Sequence, residues 1–240
     1  MKTRYKALIF DADHTLLDYG ADERLALKRT LSAFSLPTAN ELVLRAHALS
    51  EIVWTENGLY DVENEKIQKN YHILYRSHVT GIFERLFEEF SLTAQPEEVG
   101  KRFLKELEVG GTPIDGAKEM LDALSEKTGG KYKIYIATNG VSSIQKGRLH
   151  AYLPYVDGVF ISEEIGVIKP TKSFFEKVLS AVKEQAENCL MIGDSLRSDV
   201  QGANACKMDT CWFNPKGLEN KDGIIPRFEI RALQELTEIL

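Results

Sequence analysis

The sequence predicts an α/β fold: a doubly wound, Rossmann-like parallel sheet carrying an inserted all-helical segment. Three observations support it. Short apolar runs rich in strand formers recur along the chain, each ending abruptly in polar residues. Helix-length segments separate most of them, as in parallel strands joined by crossover helices. Between about residues 18 and 110 that rhythm gives way to helical spacing with no strand between.

The first strand is the run over residues 5–10, which ends in Asp11-Ala12-Asp13-His14-Thr15-Leu16. A buried parallel strand has this character, with polar chemistry at its carboxyl end. Residues 132–137 form the second, followed by Thr138-Asn139-Gly140. Residues 189–192 form the third, followed by Gly193-Asp194-Ser195. Shorter runs at 158–161, 210–213 and 227–230 are predicted as outer strands. Helices are predicted over 116–127, 142–152, 173–187 and 196–205, with a last one over 232–240 closing the core.

Inside the insertion, Leu25, Leu27, Leu31 and Phe34 keep helical spacing, as do stretches at 42–54, 67–75, 82–90 and 96–107. They are read as four or five helices, and Gly110-Gly111 with Thr112-Pro113 marks the return. The expected organisation is an α/β core of residues 1–17 and 111–240 and a helical cap over 18–110.

Bulk properties narrow the function classes. The chain has 240 residues, 43% hydrophobic and 28% charged, the composition of a soluble globular protein. A formal charge of −6 argues against a partner that is a nucleic acid polymer. An anionic ligand must therefore be held by local features. Cys189, Cys206 and Cys211 form no CxxC pair and read as buried free thiols of a reducing compartment. No apolar stretch reaches the length of a membrane span, and residues 7–10 are too few for a signal peptide. A cytoplasmic protein with no membrane partner is expected.

In a doubly wound sheet, ligands sit beyond the carboxyl ends of the strands. Asp11, Asp13 and Thr15, Thr138 and Asn139, and Asp194 and Asp199 should meet there, joined by Lys169 from the loop after residues 158–161. Such a set suits phosphoryl transfer. An aspartate can attack phosphorus and form an aspartyl-phosphate, splitting one displacement into two. Positioned cations and donors offset the charge of the transferring group. Mg2+ takes one or two carboxylates with water and phosphate oxygens, which Asp11 and Asp194 would supply. Lys169 would neutralise one phosphoryl oxygen and the Thr138 hydroxyl would donate to another.

Asp11-x-Asp13-x-Thr15, Thr138, Lys169 and Gly193-Asp194 followed by Asp199 occur in that order. With these four motifs the chain resembles the haloacid dehalogenase (HAD) superfamily, and the insertion resembles the helical cap of its first cap class. The resemblance implies that Asp11 is nucleophile and metal ligand. Asp13 is then the general acid/base, with its carbonyl on the metal. Thr138 and Asn139 bind phosphate, Lys169 orders the nucleophile, and Asp194 holds Mg2+, with Asp199 ligating or orienting it through water; Mn2+ is the alternative ion. The dehalogenase branch lacks the second aspartate, because a halide needs no proton, so Asp13 favours phosphoryl transfer.

Residues 161–170, 193–199 and 211–215, with Trp54 and Asn57-Gly58, are similar to the YjjG/YfnB-type 5'-nucleotidases. That similarity implies a small phosphate ester as substrate, a pyrimidine or non-standard nucleoside monophosphate. Phosphatases of sugar phosphates or phosphoglycolate, and phosphomutases, are the alternatives. His14 stands where most relatives carry glycine and, like Trp54, is a candidate substrate contact. Aromatic residues of a helical bundle are more often core.

Overall fold

The computed structural model describes residues 5–62 and 64–240. Its strands are β1 (Ala7–Phe10), β2 (Lys133–Thr138), β3 (Gly158–Ile161), β4 (Cys189–Gly193), β5 (Asp209–Phe213) and β6 (Phe228–Ile230). They form one sheet of order β3-β2-β1-β4-β5-β6, and every neighbouring pair is parallel. The helices are α1 (Tyr19–Ala33), α2 (Asn40–Glu56), α3 (Glu65–Phe90), α4 (Pro96–Leu107), α5 (Ala117–Leu124), α6 (Ser142–Arg148), α7 (Ser162–Ile165), α8 (Lys172–Val182), α9 (Gly202–Ala205) and α10 (Leu236–Ile239). The chain forms two compact units. One holds the segment up to Asp18 with Pro113–Ser142 and Leu149–Leu240; the other holds Tyr19–Thr112 and Ser143–Arg148.

Side chains alternate across a strand, and the α/β unit uses both faces. Leu8 and Phe10 of β1, Ile134 and Ile136 of β2, and Leu190 and Ile192 of β4 pack with Met120 and Leu121 of α5 and Leu236 of α10. Ala7, Ile9, Tyr135, Ala137, Cys189 and Met191 pack on the opposite side with Phe174, Phe175 and Val178 of α8. Each large aliphatic side chain so buried stabilises by roughly 1.5–3 kcal/mol, so both faces must be covered. This is the doubly wound architecture, and it explains why β1 and β4 read as unbroken apolar runs.

Several element ends differ from the periodicity. The helix expected over 116–127 stops at Leu124, because Ser125 turns the chain: its Oγ accepts from Lys127 N–H and donates to the Tyr155 carbonyl. The segment over 142–152 is helical only to Arg148, followed by a 3₁₀ turn, His150–Tyr152. Residues 67–75 and 82–90 belong to one 26-residue helix, α3. The one glycine between them, Gly81, faces Val53, and a Cβ there would lie 3.1 Å from Val53 Cγ1. Leu196–Gln201 winds as a π-helix, and the terminal helix shortens to a 3₁₀ turn, Leu233–Glu235, plus α10.

In the helical unit, α1 packs on α4 and α2, and α3 packs on α2 and α4. Leu27, Leu31, Leu49, Val53, Phe83 and Phe103 are buried in it. No helix among the described residues is long and apolar enough to cross a membrane.

Asp22 organises this unit's chain crossings. Its carboxylate accepts from Gly111 and Thr112 N–H at 2.9 and 2.8 Å, and Arg148 Nε lies 2.9 Å from Oδ2 with both side chains fully buried. Burial disfavours the Asp22 charge, yet the Thr112 hydrogen bonds, Arg148 and Gly111 outweigh it and hold the carboxyl below its ordinary value. Residues 143–148 thus join the helical unit through a contact that no local pattern announces. Asp22→Ala would leave Arg148 buried without its carboxylate, and a loss of about 3–5 kcal/mol is expected in urea unfolding. A loss below about 1 kcal/mol would contradict this account.

His78 gives the same unit a pH dependence. It is buried, with Nε2 3.2 Å from Ser50 Oγ and its ring 5.2 Å from that of Trp54. Burial pulls its pKa down to about 4, against the opposing charge of Glu51. An unfolded histidine titrates near 6.5, so the unfolded state binds the extra proton first as pH falls. The contribution is full above about pH 6.5 and is lost as pH falls toward 4, on the order of 3 kcal/mol in all. Unfolding measured from pH 7 to 4 should show His78→Gln losing less stability than the parent.

Candidate active site

The sheet register aligns the polar strand ends. Phe10 pairs with Ile136 on one side and Ile192 on the other, so Asp11, Thr138 and Asp194 leave neighbouring strands within one residue of the same level. The chain passes from β1 to β2 on one side while β4 pairs on the other, so strand order reverses at β1, the place where doubly wound sheets bind ligands.

Asp11 is held at that edge by its N–H, which donates to the Ile192 carbonyl at 2.8 Å. Its Oδ1 accepts from Ala12 N–H at 2.7 Å and from Lys169 Nζ at 2.7 Å. The Lys169 ammonium also lies 2.6 Å from Asp199 Oδ1. Asp199 Oδ2 accepts from Ser195 N–H at 3.1 Å. Lys169 is 1% exposed and Asp199 0%, so the lysine survives burial only because two carboxylates pair with it. Burial lowers its basicity, but Asp11 and Asp199 more than compensate and hold it above the usual lysine range.

The site carries more negative charge than Lys169 offsets. Asp11, Asp194 and Asp199 each offer an oxygen within 4.8 Å of the others. Burial pushes the Asp11 carboxyl up to about 7; Lys169 opposes this, while Asp199 and Asp13 add to it. Asp194 is likewise raised, by burial and then by the charges of Asp11 and Asp199. An all-oxygen set of mutually repelling carboxylates fits a hard divalent cation such as Mg2+, with Mn2+ accepting the same donors.

Of the remaining expected residues, Asp13, His14, Thr138 and Asn139 fall in the same unit and Trp54 does not. Asp13 is partly buried, bridged to Leu17, and close enough for its charge to act on Asp11. Thr138 is 1% exposed, with its hydroxyl 3.2 Å from the Asn139 carbonyl. The Asn139 side chain, expected on phosphate, is turned onto the Lys169 backbone. His14 is exposed and left-handed, φ 59°, its N–H donating to the Leu17 carbonyl at 2.7 Å. Such a turn favours glycine and tolerates histidine better than most residues, which accounts for the backbone at this position. Trp54 lies in the helical unit, half-buried, with edge contacts to Tyr60, Tyr71, Tyr75 and His78.

Three supporting groups have contacts that the sequence does not predict. The Trp212 indole N–H donates to the Asp194 carbonyl at 2.8 Å, fixing that loop. Ser162 Oγ accepts from Gly140 N–H at 3.0 Å. Gly193 has no room for a side chain, since a Cβ would lie 2.2 Å from Asp199 Oδ2. All three lie in runs that carry the sequence resemblance, 161–170, 193–199 and 211–215, although their contacts are not readable there.

Comparison with known proteins agrees with this geometry. The haloacid dehalogenase-like hydrolase model matches residues 5–207. The pyrimidine 5'-nucleotidase PynA of Streptococcus pneumoniae is 36% identical, over 98% of this chain and 95% of its own. The pyrimidine 5'-nucleotidase YjjG of Escherichia coli is 32% identical, over 97% of this chain and 96% of its own. The crystal structure of the HAD hydrolase YfnB from Bacillus subtilis, bound to magnesium, superposes with a TM-score of 0.84 at 33% identity, covering 99% of each chain. With a parallel sheet whose carboxyl edge gathers Asp11, Lys169, Asp194 and Asp199, the chain belongs to the haloacid dehalogenase-like hydrolase family.

Proposed function

We propose that this hydrolase is a Mg2+-dependent phosphatase of nucleoside 5'-monophosphates, with pyrimidine or non-standard nucleotides as substrates. The observation that carries the chemistry is the Asp11 carboxylate, 2.7 Å from a buried lysine and within 4.8 Å of two further carboxylates. The substrate class rests on the two nucleotidases that match nearly the whole chain.

Substrate phosphate enters at the carboxyl edge of β1, where the Thr138 hydroxyl donates to one phosphoryl oxygen and Lys169 offsets charge on another. An Asp11 oxygen attacks phosphorus in line with the ester oxygen, and the P–O5' bond breaks as the aspartyl-phosphate bond forms. Asp13 protonates the departing alkoxide. It then takes a proton from water, whose oxygen attacks phosphorus and returns Asp11 as carboxylate with inorganic phosphate. Asp11, the Asp13 carbonyl and Asp194 would hold Mg2+, with Asp199, already engaged by Lys169 and Ser195, orienting it through water. The ion supplies charge stabilisation of the phosphoryl oxygens.

We read the helical unit, residues 18–110 in the first instance, as the cap that selects the ester, with Trp54 as its nucleobase contact and His14 as a contact from the nucleophile loop. The free thiols suit a reducing compartment, which we take as the cytoplasm.

Phosphate release across a panel of nucleoside monophosphates and sugar phosphates tests the assignment, with Asp11→Asn as control. Selective hydrolysis of nucleotides is expected, with activity lost in the variant while its fold persists. Equal rates on both substrate classes would remove the nucleotide assignment, and turnover surviving in Asp11→Asn would remove the mechanism. Chelation with EDTA should stop phosphate release, and added Mg2+ should restore it. Activity indifferent to EDTA would show that the metal role is wrong.

A further inference from the structure

The Asn139 side chain makes two hydrogen bonds to one residue. Its Nδ2 donates to the Lys169 carbonyl at 3.0 Å, and its Oδ1 accepts from Lys169 N–H at 2.8 Å. The amide orientation is fixed by its partners, because a backbone N–H can only donate and a carbonyl can only accept. Both polar atoms of the side chain are therefore engaged by the backbone of the lysine, 30 residues along the chain, with one Nδ2 hydrogen left outside this ring.

Lysine is a flexible four-carbon stem with a compact charge, and holding its head costs rotamer entropy. In this site the head is set by Asp11 and Asp199. The base of the stem lies in the loop between α7 and α8, outside any regular element. Asn139 clamps that base, and it follows directly on Thr138, the last residue of β2. The loop that presents the Thr138 hydroxyl thus also fixes where the lysine starts. Gly140 N–H is in turn tied to the buried Ser162 Oγ at 3.0 Å, which anchors the clamp to the start of α7.

We propose that Asn139 is a positioning residue that acts on the reaction through Lys169, and that its side chain does not bind the phosphoryl group. The geometry suits asparagine alone. Aspartate keeps the acceptor for Lys169 N–H but loses the donor to its carbonyl, alanine loses both, and glutamine is one methylene too long for the same ring. The inference rests on the catalytic role proposed for Lys169.

A double-mutant cycle on nucleoside monophosphate hydrolysis, read under single-turnover conditions, tests it. Asn139→Ala in the parent should lower kcat by about tenfold to a hundredfold, the scale of a misplaced catalytic group, with KM changed less than about threefold. In a Lys169→Ala background the same change should cost less than about twofold. Inorganic phosphate should inhibit parent and Asn139→Ala with similar constants. If the two losses multiply, or if Asn139→Ala weakens phosphate inhibition in the Lys169→Ala background, the side chain acts on the substrate directly and the inference is overturned.

Amide exchange gives a readout independent of turnover. Lys169 N–H should lose protection in Asn139→Ala and retain it in Asn139→Asp, which also serves in the cycle if the alanine variant does not fold. Unchanged Lys169 protection in Asn139→Ala would likewise overturn the clamp. A Lys169→Ala protein with parent activity would instead fault the assigned role of the lysine, an outcome the exchange measurement separates from failure of the clamp.

Discussion

A lysine buried to 1% exposure is costly in any protein interior, and here Lys169 is kept charged by Asp11 and Asp199 at 2.7 and 2.6 Å. Much of the α/β unit's functional edge follows from that requirement. Asp199 must approach closely, which forbids a side chain at Gly193. The lysine's loop must be fixed, which engages Asn139. Two carboxylates on one ammonium, with Asp194 beside them, leave an excess of negative charge, and burial first, with the neighbouring carboxylates adding to it, raises the pKa of Asp11 and Asp194. The donor set that results is one a divalent cation would relieve.

The sheet makes this arrangement affordable in structural terms. β1 is buried over all four residues and flanked in register by β2 and β4. Its two faces are packed by different sets of side chains. A close-packed scaffold of this kind resists small displacements, so groups at its edge can be held without a folding element of their own. Charge repulsion at the edge is tolerated because the stabilising apolar burial lies below it.

The helical unit is built on other terms. Its fixed point is the buried Asp22–Arg148 pair, which gathers the N–H groups of Gly111 and Thr112. Around Trp54 it carries an unusual density of rings, with Tyr60, Tyr71, Tyr75 and His78 in edge contact. Trp54 is itself half-buried among them, although helical spacing alone reads an aromatic of a bundle as core.

Sequence alone located the strands, because a buried parallel strand must be a continuous apolar run and residues 5–10, 132–137 and 189–192 are read that way. It also marked the loops expected to carry chemistry, since Asp11 and Thr138 follow those runs directly and Asp194 comes one residue later. Lys169 was legible through its order among the other motifs. Tertiary structure decided what local pattern cannot encode. Helix ends at Leu124 and Arg148 depend on turn bonds and packing partners. The left-handed turn at His14 is set by the loop closing onto Leu17. Asp22 finds Arg148 across 126 residues, and Asn139 finds the Lys169 backbone across 30. Periodicity reports which face of an element is buried, whereas a hydrogen bond between distant loops exists only once the sheet has fixed the path of the chain.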